Sequence, residues 1–200
     1  MRGSTERSRS GKPAIVVIGC SLGGYNALRI ILRALPRDYP LPVAIVQHRG
    51  VDTVDLLARA LQELTQLPVR EAEDKEPIIP GCVYVGPSDY HLLVDAGRFA
   101  LSTDAKVLAA RPSIDVLFES AADAYLERVV AVILTGASRD GSIGAARVKS
   151  KGGVVVVQDP ATAECAVMPA SVVQTCAVDR VLPLDGIASF LKVQGYARVD

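Results

Sequence analysis

Short runs of apolar residues alternate along the chain with longer segments in which apolar and polar residues are mixed at helical spacing. The first two runs are residues 14–18 and 43–46, and the segment between them predicts a helix over residues 24–35. Uninterrupted apolar strands are typical of strands buried on both faces, as in a parallel sheet covered by helices. The pattern therefore predicts an α/β fold from the first strand onward.

The same alternation continues to the end of the chain. Further helices are predicted at residues 53–64, 113–126, 142–150 and 184–191. Further strands are predicted near Val69 and at residues 83–85, 129–134, 154–157 and 179–182. Residues 92–94 and 99–101 flank the turn-forming segment 95–98, which indicates an antiparallel hairpin. We therefore expect a doubly wound, mostly parallel sheet flanked by helices, with one antiparallel hairpin.

Length and composition indicate one domain with a full hydrophobic core. The chain has 200 residues, of which 50% are hydrophobic and 22% are charged, and this size is usual for a single domain. We expect the domain to span residues 13–193. Residues 1–12 are polar and are predicted to be disordered, as a tag or a linker remnant, and residues 194–200 are predicted to be a C-terminal tail.

Charge, apolar runs and cysteine spacing argue against several classes of protein. The 22 basic and 22 acidic residues balance, and beyond the first dozen positions no window concentrates basic residues, so nucleic-acid binding is not expected. No apolar run approaches the roughly 18 residues of a membrane span, and no signal peptide is evident, so we expect a cytoplasmic protein. The four cysteines form no C-x-x-C pair and the chain has two histidines, which indicates reduced thiols and no metal centre.

A nucleophile-elbow pattern follows the first predicted strand. In Gly19-Cys20-Ser21-Leu22-Gly23 the flanking glycines permit a tight strand-to-helix turn that leaves the serine hydroxyl exposed at the sheet edge. Taken alone, the segment fits a turn or a phosphate-binding loop equally well. A dinucleotide fingerprint would require Gly in place of Ser21, however, and the Gly-Lys-Ser/Thr ending of a P-loop is missing. The N-terminus of the next helix also offers N–H groups to an oxyanion.

Two other strand-end loops supply candidate partners for Ser21. His48 follows the second strand and suits a general base, because histidine titrates near neutrality. His91 competes for this role but precedes a hairpin strand, away from the parallel edge. Asp140 suits the acid that orients the imidazole, although in isolation a cap for the following helix explains it better. The chain order Ser21, His48, Asp140 differs from the serine, acid, histidine order of α/β-hydrolases.

These motifs resemble the catalytic domain of protein-glutamate methylesterase, the CheB family of bacterial chemotaxis. The resemblance covers residues 14–191 and rests on separated segments in the family's order: residues 18–24, 47–48, 71–74, 83–92, 111–118, 134–136 with 140–141, and 158–169. It implies Ser21 as nucleophile, His48 as general base and Asp140 as the orienting acid. It also implies that backbone N–H groups of Ala137 or His48 stabilise the oxyanion.

The resemblance implies hydrolysis of γ-glutamyl methyl esters on the cytoplasmic helices of methyl-accepting chemoreceptors. Deamidation of receptor glutamines is implied as a second activity, and no metal or organic cofactor is implied. Two alternatives remain open. One is a non-catalytic module of the same fold that docks on receptors, and the other is a carboxylesterase for small molecules.

The chain departs from the family pattern beside the site. Leu22 stands where a small hydroxyl residue is usual, Arg139 lies in a loop that usually carries Met-Gly and a small polar residue, and Val167 stands where Gly usually precedes Met-Pro. Family members commonly carry an N-terminal receiver domain that accepts a phosphoryl group. Only about a dozen polar residues precede the first strand here, so we expect this partner domain either to have been trimmed or to be naturally absent.

Overall fold

A seven-stranded parallel sheet lies at the centre of the structure, a computed structural model that describes residues 14–50 and 56–196. The predicted tail at residues 1–12 lies outside the described residues. In chain order the strands are β1 (Ile15–Cys20), β2 (Val43–Gln47), β3 (Val69–Glu71), β4 (Val83–Val85), β5 (His91–Asp95), β6 (Arg98–Ser102), β7 (Val129–Ile133), β8 (Val154–Gln158) and β9 (Arg180–Leu182). The helices are α1 (Gly24–Ala34), α2 (Leu56–Gln62), α3 (Ile114–Tyr125), α4 (Ser142–Ser150), α5 (Val167–Thr175) and α6 (Leu184–Tyr196).

The strand order β3-β4-β2-β1-β7-β8-β9 makes the sheet doubly wound. Strand β1 pairs in parallel with β2 on one side and with β7 on the other, so the direction of winding reverses at β1. Ligands of such sheets bind beyond the carboxyl ends of the strands at this reversal. The loops after β1, β2 and β7 meet there. The sheet and the separate β5–β6 hairpin confirm the predicted fold class.

The side chains of β1 contribute to two hydrophobic cores. Val16 and Ile18 belong to the core under α1, α2 and α6, whereas Ile15 and Val17 belong to the core under α3, α4 and α5. Each face of the strand is therefore covered by helices, which is why the run of apolar residues in the sequence is continuous rather than alternating. Burial on both faces also holds the end of β1, where the next loop begins, in a fixed position.

The β5–β6 hairpin packs on the second core. The ring of Phe99 lies 4.7 Å from the ring of Tyr84, centroid to centroid, and the hairpin contacts α3 through β5. The hairpin therefore packs on helix α3 and on the Tyr84 ring of β4. No helix within the described ranges is long and apolar enough to cross a membrane.

Three helices differ from the sequence-based expectations. Helix α5 was not predicted, because Pro169 and neighbouring valines disfavour a helix; the proline lies in the first turn, where its missing N–H costs no hydrogen bond. Helix α6 continues to Tyr196, so the predicted domain boundary at 193 falls inside it. The Tyr196 hydroxyl donates to Asp38 at 2.7 Å and ties down the last turn. The predicted helix at 53–64 is described only from Leu56 and ends at Gln62.

Candidate active site

Ser21 lies in a tight turn between β1 and α1. Its N–H donates to the carbonyl of Thr135 at 2.9 Å, and its own carbonyl accepts from the N–H of Gly24 at 2.8 Å. Gly23 has a φ of 79°, a left-handed conformation that favours glycine. The turn leaves Ser21 half-buried in the wall of an open pocket of about 460 Å³. This is the arrangement that the elbow pattern predicted.

The loop after β7 lies close against the loop that carries Ser21. A Cβ added to Gly136 would lie 3.0 Å from Cβ of Ser21 and 2.6 Å from Cε of Met168. The hydroxyl of Thr135 donates to the carbonyl of Leu22 at 2.8 Å, which links the loop after β7 to the loop after β1. The position of Ser21 is therefore set by the end of β7 as well as by its own strand.

His48 and Asp140 form a hydrogen-bonded pair. The distance from Nε2 of His48 to Oδ2 of Asp140 is 2.7 Å, and the side chains are 15% and 0% exposed. Because Nε2 is engaged, Nδ1 is the ring nitrogen left for a reacting group. The described residues include no hydrogen bond between the Ser21 hydroxyl and this imidazole, but Ser21 and His48 line the same pocket. Such contacts commonly tighten only when substrate binds.

Asp140 also closes the N-terminus of helix α3. Its carboxylate accepts from the N–H of Ile114 at 2.7 Å, the N–H of Asp115 at 3.0 Å and the hydroxyl of Ser113 at 2.8 Å. Burial alone raises the pKa of Asp140, but the hydrogen bonds from His48, from the two N–H groups and from Ser113 outweigh it. The pKa therefore lies below its ordinary value. The carboxylate stays ionised and can hold the imidazole in one tautomer.

The alternative role of Asp140, as a cap of the helix that follows it, is not what the structure shows. The N-cap of α4 is Gly141, and among the described residues Asp140 accepts from no N–H of that helix. The Asp140 carboxylate is turned toward α3 and His48 instead. The sequence alone favoured the cap because helix α3 lies more than twenty residues earlier in the chain and its approach is a tertiary contact.

Asp115 is a second buried acid beside Asp140, and no motif in the sequence indicates its role. Its Oδ1 accepts from the N–H of Gly144 at 2.7 Å, whereas Oδ2 is enclosed and has no partner among the described residues. Burial raises the pKa of Asp115 to about 6, against the Gly144 hydrogen bond and with the help of the Asp140 charge. Asp115 thereby joins the N-termini of α3 and α4 next to the pair.

Two backbone donors near Ser21 are available to an oxyanion. The N–H groups of Leu22 and Ala137 donate to no other residue in the part of the chain that the structure describes. The N–H of His48, by contrast, donates to the carbonyl of Cys20 at 3.0 Å and continues the β1–β2 ladder. The expectation that His48 supplies an oxyanion donor is therefore wrong, since that N–H is already engaged. Leu22, directly after the serine, is the better candidate.

His91 is a structural residue in this arrangement. It is buried, its Nδ1 accepts from the N–H of Ser113 at 3.2 Å, and its Nε2 lies 3.1 Å from the carbonyl of Ala105. Both ring nitrogens are therefore occupied. The imidazole supports Ser113, whose hydroxyl binds Asp140, and so contributes to the site through its scaffold.

The residues that depart from the family pattern, Leu22, Arg139 and Val167, are exposed. Leu22 and Tyr25 are exposed apolar side chains in the wall of the Ser21 pocket. Arg139 is exposed and makes no ion pair with a described residue.

Within residues 14–50 and 56–196, no cluster of His, Cys, Asp and Glu has the arrangement of a metal site, and the four cysteines are free thiols.

Comparisons with known proteins point to one family. The family model described as CheB methylesterase matches residues 16–191. A putative protein-glutamate methylesterase/protein-glutamine glutaminase of Leptospira interrogans is 47% identical over 174 residues, which cover 86% of this chain and 90% of the relative. The protein-glutamate methylesterase/protein-glutamine glutaminase of Thermotoga maritima is 40% identical over 183 residues, which cover 90% of this chain but 53% of the relative.

A solved structure shows the same likeness. The crystal structure of the Thermotoga maritima CheB methylesterase catalytic domain superposes with a TM-score of 0.86 at 39% identity, covering 91% of this chain and 98% of that one. The chain thus spans nearly all of a catalytic domain of known structure, and about half the length of the longer Thermotoga maritima relative.

Proposed function

Because this chain belongs to the CheB methylesterase family, we propose that it hydrolyses γ-glutamyl methyl esters on the cytoplasmic helices of chemoreceptors. The observation that carries the proposal is the hydrogen bond between His48 and the buried Asp140, in the pocket that Ser21 and His48 line at the winding reversal of the sheet. The relatives' names join methylesterase and glutaminase activities. We therefore extend the proposal to deamidation of receptor glutamines by the same residues, in the cytoplasm.

The first half of the reaction forms an ester on Ser21. The Ser21 hydroxyl attacks the carbonyl carbon of the methyl ester while His48 accepts its proton on Nδ1. The carbonyl oxygen becomes an oxyanion, for which the N–H groups of Leu22 and Ala137 are the proposed donors. The protonated imidazole then gives its proton to the leaving methoxide, so that methanol departs and a glutamyl ester of Ser21 remains.

The second half returns the serine. His48 removes a proton from water, which attacks the glutamyl ester, and the same proton passes to Ser21 Oγ as the glutamate carboxyl group is released. In deamidation the leaving group is ammonia rather than methanol, and the other steps are unchanged. Asp140 stabilises the imidazolium in both halves because its carboxylate remains ionised beside Nε2.

The geometry supports this proposal over the two alternatives. A docking module would not require a buried carboxylate held by four donors and aimed at an imidazole. A small-molecule esterase would be expected to enclose its acyl group in an apolar pocket. The pocket at Ser21 is open, and its wall includes the polar side chains Asn26, Gln47 and Glu164.

Receptor membranes carrying radiolabelled methyl groups test the proposal. The protein should release labelled methanol, and the Ser21→Ala variant should release it only at the background rate. Turnover of short acyl esters should be much slower than that of the receptor. Equal or faster turnover of the short esters would instead support the small-molecule esterase, and the absence of any hydrolysis would support the docking module.

A further inference from the structure

A second open pocket shares His48 with the Ser21 pocket. It has a volume of about 420 Å³ and is formed by two loops, residues 48–50 and 106–112. Its ionisable side chains besides His48 are Arg49, Lys106 and Arg111, and the described residues that line it include no Asp or Glu. We call the space between these three cationic residues the basic pocket.

Arg49, which lines this pocket, carries buried hydrogen-bond donors that have no acceptor among the described residues. Its side chain is 7% exposed, and Nη2 donates to the carboxylate of Glu71 and, at 3.1 Å, to the carbonyl of Gly86. The remaining nitrogens, Nε and Nη1, are buried and have no hydrogen-bond partner among the described residues. A buried charged donor without an acceptor costs free energy. A ligand acceptor that displaces the groups enclosing Nε and Nη1 would remove this cost.

The other two cations differ in how far they are already used. All three guanidinium nitrogens of Arg111 already make hydrogen bonds. Nε and Nη2 donate to Asp89, and Nη1 donates to the carbonyls of Thr103 and Asp104. Lys106 is exposed and forms no ion pair with any described residue. Arg111 therefore fixes the wall of the basic pocket, while the exposed Lys106 is left to attract an anion toward the enclosed, unpaired edge of Arg49.

We propose that the basic pocket binds a carboxylate side chain of the polypeptide substrate, close to the residue whose ester reaches Ser21. This inference rests on the proposed function. His48 lines both pockets, so a substrate that presents its ester to Ser21 presents neighbouring side chains to the basic pocket. Side chains three or four residues apart on a helix are separated by about 5–6 Å at Cβ, which suits adjacent pockets. A planar guanidinium edge is well shaped for a carboxylate.

The test uses helical peptides that carry one glutamate methyl ester. One series has Glu three or four residues before or after the ester, and a matched series has Gln at the same position. At one or more of these positions, kcat/KM should be about tenfold higher for the Glu peptide, the order expected for charge-assisted hydrogen bonds. Peptide affinity for the inactive Ser21→Ala variant should show the same preference, which separates binding from turnover.

Three variants locate the preference. Lys106→Met should reduce it by about twofold to fivefold, as expected for an exposed ion pair. Arg49→Lys retains a positive partner for Glu71 but loses the free guanidinium edge, so it should abolish most of the preference. Lys192→Met removes an exposed charge from α6, outside both pockets, and should leave the preference unchanged.

The outcomes distinguish this inference from the proposed function. Equal kcat/KM for Glu and Gln peptides at every position would overturn the basic pocket as a carboxylate site while leaving the esterase intact. A preference that survives both Lys106→Met and Arg49→Lys would also overturn it. Failure to hydrolyse either series, with receptor membranes also uncleaved, would overturn the proposed function together with this inference.

Discussion

Asp140 has two functions in the site because its two carboxylate oxygens face different donors. Oδ2 lies between Nε2 of His48 and the N–H of Ile114, and Oδ1 lies between the hydroxyl of Ser113 and the N–H of Asp115. The same group therefore orients the imidazole and closes the first turn of α3. The catalytic geometry and the local stability of the fold are coupled through this residue.

An Asp140→Asn variant tests this coupling. In either orientation of the new amide at position 140, its NH₂ group faces groups that are themselves hydrogen-bond donors. If His48 changes tautomer so that Nε2 can accept from this NH₂ group, the ring proton moves to Nδ1. Nδ1 can then no longer accept the proton of Ser21. We expect kcat to fall by about 10³ to 10⁴-fold and the free energy of unfolding to fall by about 1–3 kcal/mol. Steady-state kinetics and urea unfolding measure the two effects.

Asp123→Asn is the matched control for that variant. Asp123 is exposed and pairs with Arg147 and Lys151 on the surface. Its loss should change neither quantity appreciably, because exposed ion pairs contribute little. Wild-type kcat in Asp140→Asn would contradict the role assigned to the His48–Asp140 pair.

Asp115 makes the stability of the protein depend on pH. Since its pKa is raised from 3.8 to about 6 in the folded state, the folded protein holds this proton more tightly than the unfolded chain does. The stabilisation is complete below the ordinary pKa and is lost as the pH rises through about 6. Asp140 acts in the opposite direction: its pKa is lowered, so its contribution is lost as the pH falls through the lowered value.

Asp115→Asn should therefore become more stable relative to the wild type as the pH rises. The amide oxygen can still accept from Gly144, and the repulsion of Asp140 is removed. Between about pH 4 and pH 7 the difference in unfolding free energy should shift in favour of the variant by about 2–3 kcal/mol. Urea unfolding at a series of pH values measures the shift. A difference that is constant with pH would show that the pKa of Asp115 is the same in the folded and unfolded states, and would contradict the raised value.

At the scale of elements, the site depends on the close approach of β1 to the N-terminus of α3. A Cβ added to Gly19 would lie 2.3 Å from Cγ2 of Ile114, whose N–H donates to Asp140. The first glycine of the elbow is therefore needed for helix packing as well as for the turn. A residue larger than Gly19 would displace the N-terminus of α3, whose N–H groups bind Asp140.

Gly19→Ala should lower both stability and activity for this reason. We expect a loss of about 1–3 kcal/mol from overpacking, with a reduced kcat because the Asp140 contacts shift. Adding Ile114→Ala should relieve the clash, so the double variant should be more stable than the sum of the single effects predicts.

Gly50→Ala is the control for the glycine series, since a Cβ there meets no heavy atom of a described residue within 4 Å. Its unfolding free energy should remain close to that of the wild type. Strictly additive losses for Gly19→Ala and Ile114→Ala would contradict the proposed contact between β1 and α3.

At the scale of the whole molecule, the features that could be predicted are those that short segments of the sequence determine. Continuous apolar runs identified the strands of the parallel sheet, and the ends of those strands identified Ser21, His48 and Asp140 as neighbours. The role of Asp115 could not be predicted, because its contact with Gly144 requires the N-termini of α3 and α4 to meet. The engaged N–H of His48 depends on the pairing of β1 with β2, which no short motif reveals.

The central claim is that Ser21 forms the covalent intermediate of ester hydrolysis. Mass spectrometry of a reaction between the protein and a glutamyl methyl ester peptide, quenched in acid, tests it most directly. The claim predicts an acyl adduct on the proteolytic fragment that contains Ser21, with no adduct and only background hydrolysis in Ser21→Ala. An adduct on another residue, or hydrolysis that persists in Ser21→Ala, would contradict it.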